Sequence, residues 1–288
     1  MSDALRAGTK PVARPAARGL TVVIPVWGDY VDYLPECVGA LPVGVRAIVV
    51  DNASERALPP LPATAVVLRL DERFSAGAAR NAGLARVETD LVAFVDADDV
   101  PLPHALGRLA AALLPDAEAV AAIGRLVSWD PSTGARSLSQ RLPRPMTIRA
   151  SRHRRLFALG NVALNTFPIA GGVFRTKAVH AAGGYGDMNI GEDWILGAAL
   201  CFQGRILLLD EATMLRRVHG DSLWYRAHSR EVLRERAAAL RKRLVASAAV
   251  PRHGRVAARS AVPFHELMTL LMTRGGDHRP SAPTVMTA

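Results

Sequence analysis

Four short apolar runs, each followed by polar or acidic residues, constrain this sequence more than any other feature. The runs are rich in β-branched residues and too short for buried helices, which is typical of strands covered on both faces of a sheet. Segments of helical or looped composition separate them. This alternation predicts an α/β fold with a doubly wound, mostly parallel sheet. The predicted strands are Leu20–Val26, Val45–Val50, Ala65–Leu70 and Leu91–Val95.

The segments between and after these strands predict the other elements. Ser75 is expected to cap a helix that extends to Arg86, and the Pro-, Ser-, Arg- and Gln-rich residues 130–160 are expected to form a long loop. The second half is less regular and predicts a smaller region and a C-terminal helix. Further helices are predicted at Asp29–Ala40, Pro103–Leu114, Lys177–Ala182, Glu192–Phe202 and Arg226–Ala248, and further strands at Val120–Ser128, Phe167–Phe174 and Arg205–Leu209.

Composition limits the classes of protein that this chain can be. Half of its 288 residues are hydrophobic and 22% are charged, which excludes a chain that is disordered throughout. No apolar run approaches the roughly 20 residues that span a bilayer, so we expect no transmembrane helix. Residues 1–18 lack the apolar core of a signal peptide, and we expect this segment and residues 274–288 to be disordered tails. Two cysteines cannot build a disulfide framework, which favours the reducing cytoplasm.

The net charge of +10 is distributed unevenly along the chain. Residues 131–186 contain nine basic and no acidic residues, and residues 216–260 contain twelve basic and three acidic residues. Each of these segments therefore carries +9, so the other residues together carry −8. An acidic N-terminal half that holds cations and a basic C-terminal half that faces anions would explain this pattern. A bias of the genome towards Arg would explain the total charge but not its spacing.

The acidic cluster Asp96-Ala97-Asp98-Asp99 directly follows the fourth predicted strand. Alternate side chains of extended backbone point the same way, so Asp96 and Asp98 are expected to face one site. Such close carboxylates favour a divalent cation with oxygen ligands, Mg²⁺ or Mn²⁺, bridged onward to phosphates. Asp51 ends the second strand, and α/β sheets bind ligands at the carboxyl ends of their strands. Taken alone, such a cluster is also typical of a solvated acidic turn, so the rest of the sequence must distinguish a metal site from a turn.

That context includes motifs that resemble a known family. They are LTVVIPVWGD, VVDNAS, FSAGAARNAGL and LVAFVDADDVPLP, in this order across residues 20–103, then FPIAGGVFRTKAVHAAGGYGDMNIGEDW, and MLRRVHGDS at residues 214–222. Together they resemble family 2 glycosyltransferases with the GT-A fold, over residues 20–225. The resemblance implies a metal-dependent, inverting enzyme that moves a sugar from a nucleoside-diphosphate sugar, most often a UDP-sugar, to an acceptor hydroxyl. The acceptor, whether a small molecule, a glycan or a lipid-linked molecule, does not follow from it.

The resemblance also implies roles for individual residues of the donor half. Asp51 matches the acid that accepts a hydrogen bond from the nucleobase. Asp98 or the adjacent Asp99 matches the direct ligand of the Mn²⁺ or Mg²⁺ ion, with no choice between them, and His219 matches a further metal ligand. Contacts to the nucleotide sugar or to the acidic loop are implied for Pro25, Val26, Arg80, Asn81, Asp96, Ala97 and either Arg216 or Arg217.

Two acidic residues are the candidates for the chemical step. By the resemblance, Asp193 matches the base that takes the proton of the acceptor hydroxyl, and Glu192 is the alternative. The metal ion offsets the charge that grows on the departing diphosphate. Outside this context, acids in the first turn of a helix would merely complement its dipole. Trp194, beside the base, is expected either to stack on an acceptor ring or to lie in the core.

We expect one GT-A domain over residues 19–225, with a nucleotide-sugar half at 19–115 and an acceptor half at 116–225. A basic helical extension over residues 226–273 follows. Its Arg226–Arg243 helix either packs its Leu and Ala side on the body or contacts an anionic membrane as a peripheral protein. The alternative function is a basic module that binds nucleic acid or an anionic membrane surface without transferase activity. That alternative leaves the ordered strand-end motifs unexplained and lacks interleaved aromatic residues, so we expect no nucleic-acid partner.

Overall fold

The structure, a computed structural model, describes residues 19–139, 144–218 and 229–273. Within these ranges nine strands form one sheet with helices on both faces. The strands are β1 (Leu20–Val26), β2 (Arg46–Asp51), β3 (Ala65–Arg69), β4 (Leu91–Phe94), β5 (Val100–Pro101), β6 (Ala119–Trp129), β7 (Arg136–Ser139), β8 (Val173–Arg175) and β9 (Arg205–Arg217). The helices are α1 (Leu34–Gly39), α2 (Ala76–Leu84), α3 (Ala105–Leu113), α4 (Arg144–Ser151), α5 (Arg154–Ala163), α6 (Thr176–Ala181), α7 (Glu192–Gln203), α8 (Arg230–Ala246), α9 (Arg252–Ser260) and α10 (Val262–Thr273).

The strand order is β3-β2-β1-β4-β8-β6-β9-β5, and β7 pairs with β6. Strands β3, β2, β1 and β4 are parallel neighbours, and β6 is parallel to β9. Strand β8 is antiparallel to both of its neighbours, β4 and β6. Most paired residues thus belong to parallel ladders, which confirms the predicted fold class. The carboxyl ends of β1, β2 and β4 lie at the same edge, where such sheets bind ligands.

Alternation along β1 explains why its sequence is apolar throughout. Val22 and Ile24 pack in a cluster with residues of α1 and α3, whereas Val23 packs in a second cluster with residues of α2, α5, α7 and α8. Both faces of the strand are therefore buried, and every position along it favours an apolar side chain.

The C-terminal extension packs on α7. Ala237, Leu240 and Leu244 of α8 join the same hydrophobic cluster as Trp194 and Leu200 of α7. The sequence left two arrangements open for this helix, packing on the body or contact with a membrane, and the structure shows that its Leu and Ala side packs on the body. In the described residues, the helical extension that the sequence predicts over residues 226–273 contains three helices, α8 to α10. Both predicted terminal tails lie outside the described residues.

The predicted loop over residues 130–160 was wrong in most of its length. Strand β7 and helices α4 and α5 occupy this segment, although residues 140–143 lie outside the described residues. Helix α5 buries Phe157, Ala158, Asn161 and Val162, a helical spacing that places its arginines towards solvent. The polar composition of the segment hid this apolar stripe.

Smaller differences concern the lengths of elements. Where a strand was predicted at Phe167–Phe174, the sheet contains only the short β8, Val173–Arg175. The strand predicted at Arg205–Leu209, in contrast, continues to Arg217. The predicted helix Asp29–Ala40 is split into a 3-10 helix, Gly28–Tyr33, and α1. None of the helices in the described ranges is both long and apolar enough to cross a bilayer.

Candidate active site

A cavity of about 440 Å³ lies at the carboxyl edge of the sheet. The ends of β1, β4 and β9 meet there with the first turn of α7 and with one side chain of α8. The structure thereby brings together most residues that the sequence predicted for the site. Those that line the cavity are Pro25, Arg80, Asp96, Ala97, Asp98, Asp99, Glu192, Asp193, Arg216 and Arg217.

The three carboxylates of the acidic loop after β4 differ in their exposure to solvent. Asp96 and Asp98 are half-buried, whereas Asp99 is only 3% exposed. The Oδ1 atom of Asp99 accepts a hydrogen bond from the backbone N–H of Arg217 at 3.2 Å. Burial, together with the charges of Asp98 and Asp96, raises the pKa of Asp99. Asp98 is thus the more accessible of the two candidate metal ligands.

Arg217 holds this acidic loop from the end of β9. Its Nε donates to the backbone carbonyl of Asp98 at 3.1 Å, and its guanidinium pairs with Glu36. The guanidinium carbon also lies 4.7 Å and 4.8 Å from the ring centroids of Tyr33 and Trp129. Arg217 is therefore fixed by protein contacts on several sides and holds the loop that carries Asp98.

Arg80 joins the acidic loop after β4 to the first turn of α7. Its guanidinium pairs with Asp96 and, at 3.0 Å, with Glu192. Burial would lower the pKa of Arg80, but the charges of Asp96 and Glu192 outweigh it and raise this pKa. A buried cation between two carboxylates fixes the geometry of both.

The first turn of α7 carries the two candidate catalytic acids. Asp193 is half-buried, and its Oδ1 accepts a hydrogen bond from the backbone N–H of Trp194 at 2.7 Å. Glu192 is buried, and this burial raises its pKa to about 7 against the opposing charge of Arg80. The structure therefore places one solvent-accessible carboxylate and one buried, paired carboxylate at the same helix end.

Helix α2 holds the loop that leads into α7. Ser75 donates to Asp187 at 2.6 Å, and the backbone N–H of Ala76 donates to Asn189 Oδ1 at 2.9 Å. Asn81 Nδ2 donates to the carbonyl of Tyr185, and its Oδ1 accepts from the backbone N–H of Tyr185. Asn81 thus braces this loop rather than the cavity, which it does not line.

Three further residues that the sequence predicted for the site do not line the cavity. Asp51 is buried and does not line the cavity; its oxygens accept from the Ser54 N–H at 2.9 Å and from Arg69. Val26 is buried and does not line the cavity. Trp194 lies in the core, where its Nε1 donates to the Asn161 carbonyl at 2.7 Å. His219 lies outside the described residues.

Several residues that line the cavity were not predicted as site residues. Trp27 follows β1 directly, and the guanidinium carbon of Arg73 lies 3.5 Å from its ring centroid. Asn52 exchanges two hydrogen bonds of 2.9 Å with the backbone of Phe74, which holds the Arg73 loop against the end of β2. Arg236 reaches the cavity from α8. Arg236 lies at helical spacing from Leu240 and Leu244, which are buried on the same side of α8. This spacing is the sequence signal that could have indicated that Arg236 faces the body of the protein.

The donor atoms at the cavity fit Mg²⁺ or Mn²⁺ shared with a bound diphosphate. In the part of the chain that the structure describes, no group of three or more His, Cys, Asp or Glu is arranged to hold a metal ion alone. Mg²⁺, however, is commonly held by one or two carboxylates and by phosphate oxygens of the substrate. The accessible carboxylate of Asp98 beside Asp96 meets that requirement.

The curved α/β sheet, the acidic loop after β4 and the acidic pair at the start of α7 define the class as a GT-A glycosyltransferase. The chain belongs to glycosyl transferase family 2, whose family model matches residues 21–176, just over half of the chain. The protein is therefore an enzyme, and a non-catalytic binding module is not its function.

Solved structures support the same fold. The chain is similar to a crystal structure of residues 1–349 of S. aureus TarS in complex with UDP-GlcNAc, with a TM-score of 0.63 at 16% identity over 88% of this chain and 74% of that chain. The complex of the same TarS fragment with UDP gives a TM-score of 0.59 at 16% identity over 89% and 73%. At such identities the likeness concerns the fold alone. A comparison with curated protein sequences found no significant match.

Proposed function

We propose that this enzyme transfers a sugar from a UDP-sugar to an acceptor hydroxyl, with inversion at the anomeric carbon and with a divalent cation. The observation that carries the proposal is the single cavity that joins Asp96 and Asp98 to Asp193. S. aureus TarS, similar in fold, was crystallised with UDP-GlcNAc and with UDP, which supports a uridine nucleotide as the donor class. Cys37 and Cys201 are buried free thiols, in keeping with the predicted cytoplasmic location.

In this proposal Asp193 is the general base. Its carboxylate takes the proton of the acceptor hydroxyl while the oxygen bonds to the anomeric carbon and the bond from that carbon to the diphosphate breaks. Attack from the face opposite the diphosphate inverts the anomeric centre. Glu192 is less suited to this step because it is buried and paired with Arg80. We therefore assign Glu192 to positioning.

The proposed cation ligand is Asp98, and Asp96 would face the ribose or the same cation. Asp99 is less suited, since its carboxylate is buried against the Arg217 N–H. A bound Mn²⁺ or Mg²⁺ ion would offset the charge that develops on the leaving diphosphate. His219 remains a predicted further ligand, and Asp51 a predicted contact to the base.

Two substitutions test the proposal. Asp193→Asn is expected to lower transfer about 10²–10⁴-fold, because the base is lost, while the thermal shift caused by UDP with Mn²⁺ is retained. Asp98→Ala is expected to reduce both transfer and the Mn²⁺-dependent shift. Asp90→Asn, which changes an exposed aspartate just before the amino end of β4, opposite the carboxyl end where the cavity lies, is the matched control.

The measurements are the Tm in the presence of UDP, dTDP, GDP or ADP with and without Mn²⁺, and release of the nucleotide in the presence of the sugar donor. Near-normal turnover of Asp193→Asn would show that the base is another residue. If ADP or GDP, but not UDP, raised the Tm of the wild-type enzyme, the donor class would be wrong.

A further inference from the structure

Four neighbouring helices, α4, α5, α9 and α10, form a layer that exposes apolar side chains. Helix α5 packs on α4 and α9, and α9 packs on α10, so the layer is continuous. It carries seven of the thirteen large hydrophobic side chains that are exposed in the described residues. Leu156 is 70% exposed, and Leu267 and Leu271 are 51% and 52% exposed. We call this surface the helical face.

The helical face is also strongly basic. Residues 144–163 and 252–273, which contain its four helices, include eight arginines and one acidic residue, Glu266. Arg149, Arg152 and Arg155 are exposed beside Leu156, and Arg252 and Arg259 are exposed on α9. Exposed apolar and exposed cationic side chains therefore occur together on these contacting helices, and no residue of the four helices lines the candidate active site.

Helix α8, which the sequence suggested for a membrane contact, uses its arginines differently. Arg236 lines the cavity, and Arg243 donates to the carbonyls of Gly183 and Tyr185. Arg234 pairs with Glu266 of α10. The basic side chains of α8 thus largely stabilise the fold, and the candidate docking surface lies on the other helices.

We propose that the helical face binds an anionic lipid bilayer. Exposed leucines beside arginines match the acyl region and the anionic headgroups of such a surface at the same time. A second copy of this chain is disfavoured, because a symmetric contact would bring two surfaces of the same positive net charge together. Nucleic acid would pair with the arginines but would leave Leu156, Leu267 and Leu271 without an apolar partner. The proposal does not depend on the donor sugar or on the cation.

Vesicle flotation tests the proposal with the full-length protein. We expect binding to vesicles of equal parts phosphatidylcholine and phosphatidylglycerol, and weak binding to phosphatidylcholine alone. The double substitution Leu267→Glu with Leu271→Glu is expected to weaken binding to the mixed vesicles by about tenfold or more, since it removes apolar area and adds negative charge. Val43→Glu, at a position 87% exposed outside the helical face, is the matched control for an added acid and should bind like wild type.

A second pair of variants separates charge from apolar contact. Arg152→Glu with Arg155→Glu should weaken vesicle binding in the same way, whereas Arg86→Glu, at an exposed position on the donor half, should not. The Tm of each variant, measured in parallel, shows that it is folded. Three results would overturn the proposal: equal binding to both vesicle types, binding to heparin but not to vesicles, or a dimer that the leucine substitutions dissociate without any vesicle binding.

Discussion

Arg80 is the residue at which the acidic loop after β4 and the start of α7 meet. Its guanidinium pairs with Asp96 after β4 and with Glu192 at the start of α7. All three side chains line the cavity, and the guanidinium is largely shielded from water. Removal of Arg80 would leave the buried Glu192 without its cation, which is destabilising. The triad therefore fixes the position of the helix end that carries Asp193.

The ionisation of Glu192 should appear in the pH dependence of stability. Its pKa in the folded protein is raised to about 7 by burial, from 4.5. Between these values the folded protein keeps a proton that the unfolded chain has lost, so the stability that Glu192 contributes declines as the pH rises and is lost above about 7. Glu192→Gln cannot titrate, so its Tm minus that of wild type is expected to increase between pH 4.5 and 7 and then to level off. Thermal denaturation across this range measures the difference; parallel curves would contradict it.

Single residues differ in how far the sequence could predict them. Asp96, Asp98 and Asp193 were found because motifs mark the ends of strands and the start of a helix. The contact of Arg80 with Glu192 joins residues far apart in the chain, and no local pattern encodes it. For Asp51, the sequence predicts the position at a strand end. It does not reveal that Arg69 pairs with the Asp51 carboxylate.

Among the elements, α2 connects the sheet to the acceptor side through a close backbone approach. A Cβ atom at Gly77 would lie 1.7 Å from the carbonyl oxygen of Gly186. Only glycine allows α2 to pack this closely on the loop that leads into α7. The helix therefore sets the position of that loop through its shape as well as through its hydrogen bonds.

Gly77→Ala is accordingly expected to destabilise the protein by about 1–3 kcal/mol and to lower turnover, because the loop before Asp193 must move. Gly107→Ala is the matched control, since a Cβ there meets no atom within 4 Å and alanine favours the helix α3. Denaturant unfolding and turnover at saturating donor check both variants. A Gly77→Ala enzyme with normal stability and turnover would show that the loop does not depend on α2.

Elements with continuous apolar runs were predictable, and those with mixed composition were not. Strands β1, β2 and β4 bury both faces, so their sequences are apolar at nearly every position. Helices α4 and α5 bury only one stripe, and the arginines on their other faces made the segment resemble a loop. The irregular backbone before β8 contains Gly171 at a φ of +66°, which ends strand geometry within an apolar run.

At the scale of the whole molecule, the C-terminal extension belongs to the catalytic body. Leu240 and Leu244 of α8, Val250 and Ala258 are buried in the cluster that also contains Trp194, the residue after the proposed base. Arg236 extends from the same helix into the cavity. The family model ends at residue 176, so this extension lies beyond the matched region and yet completes the wall of the site.

Leu240→Ala tests this integration. Leu240 is fully buried, so its truncation is expected to cost about 2–5 kcal/mol and to lower the Tm by several degrees. Leu267→Ala, at a leucine that is 51% exposed in the same extension, should change stability by no more than about 0.5 kcal/mol. Because α8 also holds Arg236 at the cavity, the extension should unfold and the protein should lose UDP binding in the same thermal transition. Two separate thermal transitions, with donor binding lost only in the second, would instead show that the extension folds as an independent unit.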